Sequence, residues 1–296
     1  IIIRTYCFPE GHPEGRGGHE SVQVNDKLYF MGGSRLILQS NPKRYNLSNE
    51  VFYLDLSSQF NNRNPPFVDL TNGAAVLGGS DKSDVYLIGG TQLNLSTLNW
   101  NVTDQIINWN VTDQFIYIYS TIPKIWTKLE QGIKGTQPSR RRSTSTVIKP
   151  NGTIYIFGGR VEQDMGSDML ILYNDLYEFD TIFLSWNQIM VENTPSPRSH
   201  STATLLPNEK IIYIGGVSQD TPGSQTNLIN MMEIQIFDTI SLSWSLHTAN
   251  ASFSIQPRVG HTAVLTPDNN SIIIMGGTSS YQLNQTTVYP NLLKLD

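Results

Sequence analysis

Short apolar and aromatic runs recur along the chain, each closed by a glycine pair. The copies are Leu28-Tyr-Phe-Met-Gly-Gly33, Val85-Tyr-Leu-Ile-Gly-Gly90, Ile154-Tyr-Ile-Phe-Gly-Gly159, Ile211-Ile-Tyr-Ile-Gly-Gly216 and Ile272-Ile-Ile-Met-Gly-Gly277. Their first glycines fall at 32, 89, 158, 215 and 276, giving spacings of 57, 69, 57 and 61 residues. Such a period marks one supersecondary unit used repeatedly. The runs are rich in Ile, Val, Tyr and Phe without helical spacing of apolar positions, which predicts strands. Apolar on both faces, they suit strands buried on both sides. Glycine closes each one because it tolerates positive φ and the close approach of another backbone.

Three further strands are predicted around each run. A small-residue strand precedes it, as in Gly18-His-Glu-Ser-Val22, Ser143-Thr-Ser-Thr-Val147, Ser201-Thr-Ala-Thr-Leu205 and Gly260-His-Thr-Ala-Val264, joined by a short polar turn. About twenty residues after the glycines comes a strand that mostly ends on Asp: Val51–Asp55, Ile116–Ser120, Leu176–Asp180, Ile234–Asp238 and Leu292–Asp296. Six residues beyond three of these stand Trp126, Trp186 and Trp244, each across a hairpin in a fourth strand. An indole at a fixed offset reads as a packing anchor between neighbouring units. The order is small-residue strand, Gly-Gly strand, Tyr/Asp strand, Trp strand.

That order, repeated five times, resembles the kelch repeat, and the resemblance covers nearly the whole chain. It implies an all-β fold, a kelch-type β-propeller of four-stranded antiparallel blades. Five repeats are visible, and the chain reads as one domain over residues 1–296. Kelch propellers usually have six or seven blades, so five is either a complete ring or part of a larger one. The fifth unit ends after its third strand, and the unassigned run Ile1-Ile-Ile-Arg-Thr-Tyr-Cys-Phe8 is expected to supply its outer strand.

The units are not identical. The first lacks Trp, and Phe67 is the candidate replacement. The second has only Asn72-Gly-Ala-Ala-Val-Leu-Gly-Gly79 before its glycine strand. It also carries a tandem duplication, Asn99–Ile107 followed by Asn108–Ile116, whose nine extra residues account for its long Gly-to-Trp distance. Such an insertion belongs in a surface loop, where added length costs little.

Composition narrows the function. The chain has 296 residues, is 39% hydrophobic and carries a net charge of −5. It can bury a sizeable core. Its basic residues are scattered apart from Arg140-Arg-Arg142, which argues against nucleic acid as a partner. No apolar stretch is long enough to span a membrane. Cys7 stands alone, which favours a reducing compartment and leaves a cytoplasmic location as the alternative. Against it stand eight Asn-x-Ser/Thr sequons, at Asn46, Asn94, Asn101, Asn110, Asn151, Asn250, Asn269 and Asn284. They favour a secreted or cell-surface glycoprotein.

No catalytic or metal-ligating constellation emerges, and no cofactor is expected. His19 and His261 share one repeat position, so the repeat explains them. The resemblance includes galactose oxidase, whose copper site needs two His, an axial Tyr and a Cys-linked Tyr. That set cannot be matched here, where Cys7 is the sole cysteine. The iron site of plant specifier proteins, Glu, Asp and His at four-residue spacing, is likewise unmatched.

The expected function is therefore a non-catalytic interaction module. The turns between strands one and two, and three and four, are short and share one flat face. The longer connections after Gly-Gly and Trp share the other, which is where a rigid scaffold concentrates binding. Candidate contact residues on that loop-rich face are Arg35, Tyr45, Trp100, Trp109 and Tyr281, since Trp, Tyr and Arg anchor interfaces. Arg16, Arg140, Arg198 and Arg258 lead into the first strands on the same side. The resemblance implies that such positions line the ligand-binding mouth; they could equally bond to loop carbonyls. The partner expected is a protein or peptide. Carbohydrate binding or galactose-oxidase-like chemistry at the same mouth is the alternative.

Overall fold

The computed structural model describes residues 20–25, 27–31, 34–37, 44–47, 51–55, 70–71, 73–79, 82–93, 109–111, 116–123, 125–129, 132–139, 141–162, 170–279 and 292–296. Strands are the regular elements of these residues, with no helix among them. Three blades have four described strands each. Blade 2 runs Ala74–Gly78, Asp84–Ile88, Ile116–Ser120, Ile125–Lys128; blade 3 runs Ser145–Ile148, Thr153–Phe157, Leu176–Asp180, Ser185–Ile189; blade 4 runs Thr202–Leu205, Lys210–Ile214, Glu233–Asp238, Ser243–Thr248. Each is a simple antiparallel meander. Blade 1 has three described strands, Glu20–Val24, Lys27–Met31 and Val51–Asp55. Blade 5 has Val259–Leu265, Ile272–Thr278 and Leu292–Leu295. The first strands of the five blades stand next to one another in chain order.

The core is divided between the blades. Val24, Tyr29, Met31 and Val51 of blade 1 pack on Val85, Leu87, Tyr117 and Tyr119 of blade 2. Tyr86, Ile88 and Ile116 of blade 2 meet Ile154, Ile156, Phe179 and Trp186 of blade 3. Phe157 of blade 3 lies against Tyr213 and Trp244 of blade 4, with ring centroids 5.1 and 4.7 Å apart. Ile212, Ile214 and Ile234 of blade 4 pack on Ile272, Ile274 and Leu293 of blade 5. Both faces of a glycine strand are thus buried, as its continuous apolar sequence requires. Trp244 spans two blades, as expected of the repeated indole. Trp186 sits edge-on to Tyr177 and tilted at 4.7 Å to Phe179.

Local chemistry explains where strands stop. Asp180 and Asp238 end the third strands because each carboxylate accepts from two following backbone N–H groups, Ile182 and Phe183 in one case, Ile240 and Ser241 in the other, at 2.8–3.0 Å. Next to each, a threonine hydroxyl reaches the neighbouring hairpin: Thr181 to the Gly152 carbonyl at 2.9 Å and Thr239 to that of Glu209 at 2.9 Å. The first strands begin later than the sequence suggests in blades 3 and 4. Ser143 and His200 adopt positive φ, 54° and 58°, which breaks the extended run just ahead of it.

The run Ala74–Gly78 does form the first strand of blade 2, despite its degenerate lead-in. In the duplicated segment, Trp109–Val111 of the second copy pairs with Thr91–Leu93. The first copy, Phe67 and Ile1–Phe8 lie outside the described residues.

Candidate functional site: the loop face and its arginine staples

The connections after the first four glycine pairs are not featureless loops. They fold into small antiparallel ribbons: Ser34–Ile37 with Arg44–Leu47, Thr91–Leu93 with Trp109–Val111, Arg160–Glu162 with Leu170–Leu172, and Val217–Ser218 with Asn227–Leu228. Each ribbon stands on the side opposite the tight hairpins. A recurrent hydrogen bond explains why the chain turns there. The second glycine of one blade donates its N–H to the carbonyl of the arginine leading into the next: Gly90 to Arg141 at 3.1 Å, Gly159 to Arg198 at 2.9 Å and Gly216 to Arg258 at 3.0 Å. Gly216 has φ +88°, and a Cβ there would stand 2.4 Å from the Ser199 carbonyl oxygen. Both the backbone conformation and the close approach of the blade's own entry segment therefore demand glycine.

The arginines complete the staple with their side chains. Arg258 is fully buried; its Nη1 donates to the Gly276 carbonyl at 3.1 Å and its Nε to that of Gln256 at 3.4 Å. Arg198 is 4% exposed and bonds through Nε to the Ser196 carbonyl at 3.2 Å. Arg141 bonds through Nε to the Ser139 carbonyl at 3.0 Å and through Nη1 to that of Gly158 at 3.2 Å. It also forms an ion pair with Asp175 and lies 3.7 Å over the Tyr173 ring. Of the two roles open to Arg198 and Arg258, bonding to loop carbonyls is what the geometry presents. The repeat position in blade 3 belongs to Arg141, one residue after Arg140, which lies outside the described residues.

Beside the staples is a second set of cations. Arg142 and Arg160 face each other across an isolated antiparallel bridge, each N–H donating to the other's carbonyl at 3.0 and 2.9 Å. Burial lowers the Arg142 pKa to about 10. Burial, and then the charge of Arg142, lower Arg160 to about 8. His200 approaches from the next blade, its N–H bonded to the Ser143 carbonyl at 3.1 Å and its Nδ1 3.0 Å from the Ser199 hydroxyl. Burial first, then Arg160 and Arg142, hold its imidazole well below its usual pKa. Sequence reasoning missed Arg160; the signal was a cation directly after a glycine pair.

The remaining sequence candidates divide in two. Arg35, Tyr45 and Asn46 sit on the first ribbon, where the backbone pairs Arg35 with Asn46 and Leu36 with Tyr45. Trp109 and Asn110 sit on the second, opposite Leu93 and Gln92. Arg16, Trp100, Tyr281, Asn94, Asn101 and Asn284 lie outside the described residues. Asn151, Asn250 and Asn269 are exposed. Among the described residues no group of three or more His, Cys, Asp or Glu could hold a metal ion, and no helix is long and apolar enough to cross a membrane.

A profile described as the KLHDC2/KLHL20/DRC7 Kelch-repeats domain matches residues 73–291. The chain belongs to the kelch-repeat family. It is similar to human Kelch domain-containing protein 1, 29% identical over 178 residues, covering 60% of this chain and 39% of that protein. A shorter similarity, 29% over 100 residues, joins it to the N-acetylneuraminate epimerase of Pasteurella multocida, covering 33% of this chain and 24% of the epimerase. The chain thus spans well under half the length of these curated relatives. The solved structure of YjhT superposes with a TM-score of 0.64 at 15% identity, covering 97% of this chain and 85% of that one. The likeness to YjhT is one of fold.

The kelch chain also exposes apolar groups on its flat face. Ile122, Ile182, Phe183 and Ile240 are 62–74% exposed at the hairpins between third and fourth strands. The two faces thus differ in chemistry, with buried cations behind one and a dispersed apolar rim on the other.

Proposed function

We propose that this kelch-repeat chain is a non-catalytic interaction module whose loop face receives a protein or peptide partner. The observation that carries the reading is the mounting of the ribbons. Three of the four rise from a glycine pair pinned to the next blade, at Gly90, Gly159 and Gly216, so their ribbons stand on a fixed base. Arg35, Tyr45 and Trp109 lie on those ribbons and are of the types that anchor interfaces. Hydrogen exchange on a complex tests this: protection should fall on residues 34–47, 160–162 and 217–228. Protection confined to residues 149–152, 181–184 and 239–242 would place the partner on the flat face instead.

Carbohydrate binding at the same mouth is the second reading, favoured by the partial similarity to a sialic acid epimerase. Turnover or saturable binding of acidic sugars would establish it.

We further propose an extracellular or cell-surface setting. Asn151 and Asn269 occupy equivalent exposed hairpins between first and second strands of blades 3 and 5, and Asn250 is exposed in the linker between blades 4 and 5. A mass loss on deglycosylation of protein from a secreting eukaryotic host is expected. Identical masses before and after would remove the argument.

A further inference from the structure

Gln219 departs from the repeat. It is the third residue after the blade 4 glycine pair, where blades 1 and 2 have Leu36 and Leu93 and blade 3 has Glu162. It is only 1% exposed. A buried amide must find a donor for its oxygen and acceptors for its two N–H groups.

All of them are met, and by three different parts of the loop face. Oε1 accepts from the Leu172 N–H at 3.0 Å, and Nε2 donates to the carbonyls of Leu170 at 2.7 Å and Ser224 at 2.6 Å. The reverse orientation would set the amide oxygen against two carbonyls. Leu170 and Leu172 belong to the blade 3 ribbon. There the Tyr173 N–H bonds inward to the Gly159 carbonyl, so by strand alternation Leu170 and Leu172 turn their backbone groups outward. The Gln219 amide takes the place that a neighbouring strand would take on that edge. Ser224 closes the tip of the blade 4 ribbon: its N–H donates to the Thr221 carbonyl at 3.0 Å, its hydroxyl to the same carbonyl at 2.8 Å, and Gly223 between them has φ +79°. The Gln219 N–H itself donates to the Pro197 carbonyl at 3.0 Å, in the lead-in to blade 4.

We propose that Gln219 is a positioning residue of the loop face, locking the ribbons of blades 3 and 4 into one body and holding the tip Asp220–Gln225 ready for the partner. The inference rests on the reading of the loop face as the binding side. Forming a ribbon does not call for this residue: Leu36 and Leu93 have no side-chain hydrogen-bonding groups, and their ribbons pair all the same. What the amide adds is order between ribbons. Order established before binding lowers the entropic cost of forming a complex. The lock closes over an apolar base, where Leu172, Val217 and Val259 are buried together with Leu170 and Leu228 against them. Above it Asp220, Thr221, Pro222 and Gln225 are exposed. Asp220 is the single charge between Val217 and Met232, so the tip offers hydrogen bonds and suits a polar protein surface.

Amide exchange tests the lock without any partner. Gln219→Met keeps the length of the side chain and removes its bonds. The Leu172 N–H should then exchange at least tenfold faster, while the Tyr173 N–H, bonded to Gly159, should not change. Val161→Pro removes a ladder bond of the blade 3 ribbon, away from Gln219. In the native background it should speed exchange at Ser224 in the blade 4 ribbon at least about fivefold, and in Gln219→Met it should add nothing. Gln219→Glu is the conservative rescue. Protonated, its carboxyl donates one bond and accepts another; ionised, it faces two carbonyls. Protection factors at Leu172 and Ser224 should fall as pH rises through its titration, a dependence absent from the native protein. The positioning role is read with the protein that co-elutes with the native chain as the probe, which should dissociate from Gln219→Met at least tenfold faster while the variant still melts cooperatively. Exchange at Ser224 indifferent to Val161→Pro in the native background overturns the lock. An intact lock with unchanged dissociation overturns the positioning role and leaves the loop face standing, since the complex still protects residues 217–228. Protection absent from both ribbons overturns the face and the role together.

Discussion

The Gly159 N–H donates to the Arg198 carbonyl at 2.9 Å, joining the end of a blade 3 strand to the start of blade 4. The contact makes the glycine pair an inter-blade joint as well as a strand terminator. It recurs at Gly90–Arg141 and Gly216–Arg258. A short signature can therefore organise the described blades without covalent staples.

Replacing the glycine at such a joint should be costly. Gly216→Ala adds a Cβ 2.4 Å from a backbone oxygen at φ +88°, and neither atom can yield cheaply. A loss of about 3 kcal/mol or more is expected in urea denaturation. Gly260→Ala is the control: φ is +65° with nothing within 4 Å of the added carbon. It should cost only the left-handed backbone penalty of about 1–2 kcal/mol. Equal losses would mean that close approach is not what selects glycine.

Arg258→Lys should destabilise despite keeping the charge. Lysine cannot reach the Gly276 and Gln256 carbonyls together in the guanidinium's planar geometry. A loss of about 1–3 kcal/mol is expected by thermal or chemical melting, with partner binding by the remaining folded protein unchanged. A stable variant with weakened binding would return Arg258 to the contact surface.

The indoles should be worth more than the exposed apolar rim. Trp244 touches Phe157, Tyr213 and Phe237 with centroids 4.7–5.3 Å away, so Trp244→Ala should cost about 3–5 kcal/mol. Ile240→Ala, at 74% exposed, should cost under about 0.5 kcal/mol. Calorimetry distinguishes them, and comparable losses would contradict the layered core.

Acid should weaken the molecule through His261. Burial, then the charge of Arg258, depress its folded pKa to about 4. The unfolded imidazole titrates near ~6.5, so as pH falls the unfolded chain takes the proton first. The contribution is intact above pH ~6.5 and is lost progressively down to pH ~4, about 3 kcal/mol in all. Urea midpoints at pH 7 and 4.5 should converge in His261→Gln relative to the native protein. An unchanged pH difference would exonerate His261.

Much of the fold was legible because blades repeat a local rule. Apolar runs that must bury both faces, an Asp that caps the following turn and a Trp at a fixed offset each act over a few residues. The candidate site was less legible because its geometry is made between blades. Arg198 and Arg258 advertise charge in the sequence, but only the folded blade shows their guanidinium groups turned back on carbonyls of their own lead-in and, for Arg258, on the Gly276 carbonyl of its own blade. Arg142 and Arg160 meet across a backbone bridge spanning eighteen residues that no local pattern announces.

The central claim, that the ribbon face binds the partner, is tested most directly by affinity capture with three proteins side by side. These are the native chain, a ribbon variant carrying Arg35→Ala, Tyr45→Ala and Trp109→Ala, and a flat-face variant carrying Ile182→Ser and Phe183→Ser. Quantitative mass spectrometry should find the native partner retained by the flat-face variant and depleted at least tenfold by the ribbon variant, with all three folded. Retention by the ribbon variant and loss by the flat-face variant would contradict the account.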